Sequence, residues 1–211
     1  MRVAADGHQP PVLGSELAVE TVRLGAGEPL ECGTDDDDTI VFLCTPEDGT
    51  AHLVLAGERA NVMNAGDATA ALRASIGPGA DRHAALGPRE QTVVPGRLDA
   101  EGATGKRSFQ VLFGPHNGST RATLFVGYVP PGAAPWHFHL YDEIVWIWRG
   151  EGRFHTREAV EQIGPGSAFR IRPREVHIVE NTSPIDELVV VGLFTPAGSP
   201  SAAYYPPEAM S

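Results

Sequence analysis

The sequence predicts an all-β chain made of two similar barrels in succession, and three observations carry that expectation. Gly 24 and Pro 18 are spread along the 211 residues, a composition that suits many short strands and turns and argues against a helical bundle. The most regular apolar stretches are short, rich in β-branched and aromatic residues, and bounded by Gly or Pro. The halves also echo each other. Asp37–Leu43 (DDTIVFL) resembles Tyr141–Ile147 (YDEIVWI), and Asn64–Ala68 (NAGDA) resembles Gly164–Ala168 (GPGSA), as a duplicated β-unit would.

In chain order, Ala18–Leu24, Thr39–Cys44 and Ala51–Leu55 read as strands of the first half. Thr120–Val129, Asp142–Trp148, Ala168–Ile171 and Glu187–Phe194 read as strands of the second. Asp67–Ser75 (DATAALRAS) has the propensity of a short helix but stands where the repeat places a strand, so both assignments remain open. Gly96–Arg107 is polar and rich in turn residues and is the candidate connection. The expected organisation is a first barrel over 1–95, a linker over 96–118, and a second barrel with a C-terminal tail over 119–211.

Charge and cysteine content narrow the partners. The formal net charge is −11, with 17 acidic and 7 basic residues in 1–105 against ten and nine in 106–211. Such a balance argues against a sequence-independent grip on nucleic acid or on an anionic membrane. Asp35–Asp38 lacks the alternation of a calcium loop and reads as a solvated turn. No 18-residue apolar run and no stretch of signal-peptide type occur. Cys32 and Cys44 form no CxxC, so neither a disulfide framework nor a thiolate zinc site is suggested. The expectation is a soluble cytoplasmic protein, a homodimer, whose partner is a small-molecule substrate.

The residues that carry chemistry lie between Gly132 and Asn181. His137 and His139 are two apart, so on a strand both imidazoles point to one side. Glu143 follows four residues later at the start of a strong apolar strand, and His177 comes after a Gly-bounded strand. Three imidazoles and one carboxylate suit a divalent Fe, Mn, Ni, Co or Zn ion, and affinity order alone does not choose among these. His8, His52, His83 and His116 have no partner at ligand spacing and read as surface or loop residues.

Gly132, His137, His139, Glu143 and Gly150 resemble the first cupin signature, with one residue fewer after the first Gly. Gly166, His177 and Asn181 resemble the second, although Arg172 stands where Pro is usual and Arg174 where Gly is usual. The resemblance covers roughly residues 120–195. It implies two cupin-type (jelly-roll) barrels and one divalent transition metal held by His137, His139, Glu143 and His177. The first half resembles a cupin without metal residues. It has Glu31-Cys32-Gly33 at the place of His-x-His, Asp38 at the carboxylate position, and Gly77 where the later His would stand.

Further candidates surround this set. His155 is a candidate pocket residue and, with Glu143, a candidate for moving a proton. Arg170, Arg172 and Arg174 alternate and would share one face of a continuous strand, inward as an anion handle or outward into solvent. Trp136 and Phe138 flank the ligands as candidate walls of the pocket mouth. Trp146 and Trp148 are expected on the opposite face of the sheet, against the other barrel or a subunit partner. No GxSxG elbow, Walker loop or dinucleotide fingerprint is present. A barrel without metal residues ahead of a metal-bearing one resembles the sugar-acid isomerases of the cupin superfamily. That resemblance implies Lewis-acid isomerisation or enolisation of a small anionic oxygenated molecule. An Fe(II)-dependent dioxygenase of an aromatic or enolic substrate and a non-catalytic metal-containing binding module stay open as alternatives.

Overall fold

The computed structural model describes residues 11–45, 48–64, 66, 69–96, 100–103 and 106–206. His8, Ala65, Asp67, Ala68 and parts of Gly96–Arg107, all used above, lie outside the described residues. The first half carries β1 (Val12–Leu13), β2 (Leu17–Leu24), β3 (Pro29–Cys32), β4 (Asp38–Cys44), β5 (Gly49–Val54), β6 (Ala60–Met63), β7 (Thr69–Ile76) and β8 (Thr92–Val93). The second half carries β9 (Glu101–Gly102), β10 (Ser108–Phe113), β11 (Thr123–Val129), β12 (Gly132–Ala133) and β13 (Asp142–Arg149). It continues with β14 (Gly152–Thr156), β15 (Val160–Ile163), β16 (Ala168–Ile171), β17 (His177–Asn181) and β18 (Leu188–Thr195). Among the described residues there is no α-helix, and Pro115–Asn117 forms a 3₁₀ turn. No helix there is long and apolar enough to cross a membrane.

Each half folds as a jelly-roll barrel, a large antiparallel sheet closed by a smaller one. The large sheets have strand orders β1-β2-β7-β4-β5-β8 and β16-β13-β18-β11-β10-β9, so the triplet β2-β7-β4 matches β11-β18-β13. The small sheets are β3-β6 and β12-β17-β14-β15. The interior of the first barrel is filled by Leu24, Leu30, Val41, Val54 and Val62. That of the second is filled by Val145, Ile147, Phe154, Ile171 and Val179.

The outer faces of the two large sheets meet in one shared core. Ile40, Phe42, Leu72 and Ala74 of the first half pack with Leu124, Ile144, Trp146, Trp148 and Leu193 of the second. Trp146 and Trp148 thus lie on the expected face, turned toward the other barrel. Trp148 Nε1 donates to Thr45 O at 2.8 Å and its ring meets Phe42 edge-on, with centroids 5.1 Å apart. The buried Arg121 adds a polar tie, donating from Nη1 to Asp36 O at 3.1 Å and standing 3.4 Å from Asp38.

Two local readings resolve differently from propensity or composition. Most of Asp67–Ser75 falls in β7, which pairs with both β2 and β4. Leu72 and Ala74 face the shared core while Ala71 faces the barrel interior, so double-sided burial overrides helix propensity. The stretch 96–118 includes β9 and β10, and β10 pairs with β11 from Ser108↔Tyr128 onward, so these residues belong to the second sheet. Gly150 of the motif turns the chain between β13 and β14 at φ +85°. A Cβ there would stand 2.8 Å from Glu187 O.

Candidate metal centre

The centre is built where the crossing before β13 meets the start of β17. Backbone bonds between His137 and His177 (3.3 and 2.9 Å) fix their registry. Alternation then sends His137 and His139 into the barrel, 6% and 2% exposed, while Phe138 between them turns outward. Glu143, the second residue of β13, and His177, the first of β17, are equally buried. The His137 and His177 rings lie 4.4 Å apart, those of His139 and His177 5.1 Å apart, and His139 Nε2 is 2.8 Å from Glu143 Oε2. The structure therefore brings together the four side chains expected as ligands.

Hydrogen bonding sets the tautomers. Nδ1 of His137, His139 and His177 lies 3.0, 2.9 and 2.8 Å from the carbonyl oxygens of Pro135, Tyr141 and Glu175. A carbonyl only accepts, so each Nδ1 carries the proton and each Nε2 presents a lone pair. Burial, reinforced by neighbouring imidazoles and Arg107, lowers His137 to about 3. Burial likewise takes His177 to about 3, against the bond from Glu175. Both imidazoles are neutral at pH 7, the form that ligates.

Among the described residues no three His, Cys, Asp or Glu side chains stand as a ready-made cage around an ion. The donor set nevertheless fits one. His139 Nε2 is buried without an aligned hydrogen bond, although Glu143 Oε2 is only 2.8 Å away. Two electron-pair-bearing atoms facing each other at that distance in a buried site call for a cation or a proton between them. Divalent ions of the Mn-to-Zn series accept this combination of imidazole and carboxylate.

The four side chains line a cavity of about 90 Å³, walled by apolar residues such as Phe109, Phe125, Val129, Val179 and Val190. The room suits a small molecule. Gly192 on β18 keeps the floor open, since a Cβ there would run into the Phe125 ring and stand 3.0 Å from Glu143 Oε1. Tyr141 stacks on His139 with centroids 4.0 Å apart, and its hydroxyl donates to Pro200 O at 3.3 Å. Burial and the nearby Glu143 raise its pKa, so the phenol stays neutral.

Several expected residues are elsewhere. Arg170 lies on the face of β16 opposite Ile171, which lines the cavity, and its guanidinium grips Asp142 through two bonds of 2.7 and 2.8 Å. Arg172 and Arg174 are exposed, because β16 ends at Ile171 and the strand alternation that would align the three stops there. Arg174 adopts φ +66° and its N–H donates to His139 O at 2.7 Å, so its backbone supports the ligand loop. His155 alternates with the inward Phe154 on β14 and pairs with Glu180 at 2.7 Å, away from the cavity. Trp136 is half-exposed, edge-on to His155 and beneath the Arg157 guanidinium. Phe138 stacks on Tyr204. Of the other histidines, His83 and His116 are exposed and His52 is half-buried.

One lining residue escaped the sequence reading. Arg107, just ahead of β10, lines the same cavity as the four expected ligands. Burial pulls its pKa below the ordinary arginine value, while Glu143, Tyr205 and Tyr141 pull the other way. It lies in the stretch taken as a linker, 30 residues ahead of the histidine pair, and no periodicity marks it.

Comparison with known proteins agrees with this build. The family model described as "Cupin domain" matches residues 125–192, which hold all four expected ligands. AerE from Microcystis aeruginosa superposes with TM-score 0.64 at 9% identity, covering 88% of this chain and 90% of that one. An IolB-like protein from Salmonella typhimurium LT2 gives 0.65 at 11% identity, covering 92% and 90%. Salicylate 1,2-dioxygenase from Pseudaminobacter salicylatoxidans gives 0.60 at 8% identity, covering 85% and 70%. No curated protein matches the sequence. The Cupin domain model thus covers most of the second barrel, and the solved structures show the same fold over nearly the whole chain.

Proposed function

We propose that the chain is a metal-dependent cupin enzyme that enolises or isomerises a small oxygenated molecule. The observation that carries this reading is the convergence of three tautomer-fixed imidazoles and the Glu143 carboxylate on one small apolar cavity. Bound by His137, His139, Glu143 and His177, a divalent ion would supply Lewis-acid polarisation of adjacent substrate oxygens. The chain's own residues do the rest. Apolar walls exclude water and strengthen every electrostatic contact inside. The three carbonyl acceptors hold the imidazoles in the ligating tautomer.

Glu143 is the group placed to take and return a proton, at the carboxylate oxygen that does not hold the ion. His155 is engaged by Glu180, and the Tyr141 phenol is held neutral and donates to Pro200 O. Enolisation in this pocket thus depends on a single carboxylate. The apolar walls favour a second reading, an O2-dependent cleavage of an enolic or aromatic substrate, which needs no separate base.

Turnover of a panel of hydroxy-carbonyl compounds, enediols and catechols, followed with and without O2, tests the choice. Enolisation predicts product without O2 and with Zn(II), Ni(II) or Mn(II). Turnover confined to Fe(II) and O2 would replace it with the dioxygenase reading, and no turnover with any ion would leave a binding module.

A further inference from the structure

We infer that residues 200–204 form a lid over the mouth of the second-barrel cavity, which opens beyond Gly198 to admit the molecule held there. This rests on the reading above that the cavity takes a substrate, and its test is read apart from turnover. Pro200 and Ala203 line the cavity. The rest of the described lining comes from β10, β11, β13, β16, β17 and β18, from the ligand segment before β13, and from the turn between β9 and β10. Pro200 and Ala203 follow the last strand, so this part of the wall can move without breaking either sheet of the barrel.

The stretch is fastened mainly at its two ends. At the near end the Thr123 hydroxyl donates to Gly198 O and accepts the Gly198 N–H, each at 2.9 Å, beside the buried Ala197. At the far end Phe138 and Tyr204 exchange two backbone bonds of 2.9 and 2.8 Å, and their rings stack with centroids 5.5 Å apart. Between the ends the Tyr141 hydroxyl reaches Pro200 O at 3.3 Å. Bonds from Ala202 N–H to Ser199 O and from Ala203 N–H to Ser201 O fold the stretch on itself. Ser201, Ala202 and Tyr204 are exposed. A segment tied by two backbone bonds and a half-exposed ring opens at a small fraction of the cost of unfolding the barrel. The Thr123 tie marks where that motion begins.

The far fastening lands on the ligand segment itself. His137 bonds to His177 on one side, and the next residue, Phe138, bonds to Tyr204 on the other. With the lid shut, the segment that carries His137 and His139 is held from both sides; with it open, the Tyr204 side is lost. Entry of a ligand and support of the two imidazoles are thereby joined at one residue pair, so closure both covers the cavity and steadies the side chains that line it. The outward ring of Phe138 holds the lid, which is why it stands beside the mouth without lining the cavity.

Phe138→Cys combined with Tyr204→Cys locks the lid in the full chain. A hydrogen-bonded antiparallel pair sets its Cα atoms about 5.5 Å apart, within disulfide reach, and Cys32 and Cys44 are buried. The probe is diethyl pyrocarbonate, which acylates neutral imidazole, offered to the metal-free chain at pH 7. Peptide mass spectrometry reads His139 and His177, with the exposed His83 and His116 as standards. Oxidising the pair should slow acylation of His139 and His177 about tenfold or more with the standards unchanged, and reduction should restore it. Tyr204→Ala, which removes the ring stack, should speed it roughly two- to tenfold. Equal rates in the oxidised and reduced forms, or no acceleration in Tyr204→Ala, would overturn the lid. If the disulfide does not form, Tyr204→Ala decides alone. A chain that takes up no metal and turns over nothing, yet shows the redox-dependent rates, would sink the enzyme reading and leave the lid standing.

Discussion

Replacing Phe42 by Ala tests why a barrel without ligand residues accompanies the one that has them. Phe42 sits in the middle of β4, 1% exposed, with its ring edge-on to Trp148 at 5.1 Å and 82°. Its neighbours come from both halves, Ile40 and Leu72 on one side and Ile144 and Leu193 on the other. Gly49 leaves room for the ring, since a Cβ there would run into it. A small void of about 10 Å³ already lies between these residues, so truncating the ring enlarges an existing gap. Truncation of a buried Phe costs about 3–5 kcal/mol, and the aromatic pair with the existing void puts this site toward the upper end.

Urea unfolding followed by far-ultraviolet circular dichroism and by tryptophan fluorescence measures the loss. Trp146 and Trp148 report on the shared core. With a urea slope of about 2 kcal/mol per molar, the midpoint should fall by roughly 2 M. Because the core belongs to both barrels, the two probes should give one coincident transition in the parent and in the variant. A loss under about 1 kcal/mol, or a first barrel that melts separately, would refute the idea that the first sheet is the structural backing of the second.

Three further outcomes follow from particular residues. Gly192→Ala should push the Phe125 ring and the Glu143 carboxylate out of place, costing about 1–3 kcal/mol in a thermal melt and lowering metal affinity, read by competition with a chromophoric chelator. His137 and His177 have folded values near 3, below the ordinary 6.5, so the unfolded chain binds more protons between those pH values. Stability of the metal-free protein should therefore fall as pH drops from about 6.5 toward 3, with a slope that shallows in His177→Gln, as denaturant titration across that range would show. Cys44 is buried and its thiol is pushed up to about 12, so it should not react with a disulfide reagent at pH 8 until the protein is unfolded.

What was legible in the sequence was local. His137, His139 and Glu143 lie within seven residues on an extended segment, so alternation alone places the two imidazoles on one side. His177 was legible through its spacing from Gly166, because the turn and short strand between them leave the chain little choice of path. Trp146 and Trp148 declared their face by alternating with Glu143, Val145 and Ile147. Alternation misled at Arg170, Arg172 and Arg174, where the strand ends one residue after the first of them. It was silent on His155, whose direction is set by which face of β14 Phe154 takes. Arg107 was beyond reach for a different reason. Its place on the cavity follows from β10 adding to the sheet beside β11, a long-range pairing that no local pattern of GRLDAEGATGKR announces. The same holds for β7, where two flanking strands outvote the helix propensity of its alanines.

The central claim is that His137, His139, Glu143 and His177 hold one divalent ion, and elemental analysis of the purified chain tests it most directly. Protein prepared without oxygen and offered Fe(II), Mn(II), Ni(II), Co(II) or Zn(II) in turn is expected to retain one equivalent of at least one of them. His139→Ala and His177→Ala should retain almost none while keeping the parent's circular dichroism, because the barrel cores do not include these rings. No retained metal in the parent, or a full equivalent in both variants, would contradict the claim.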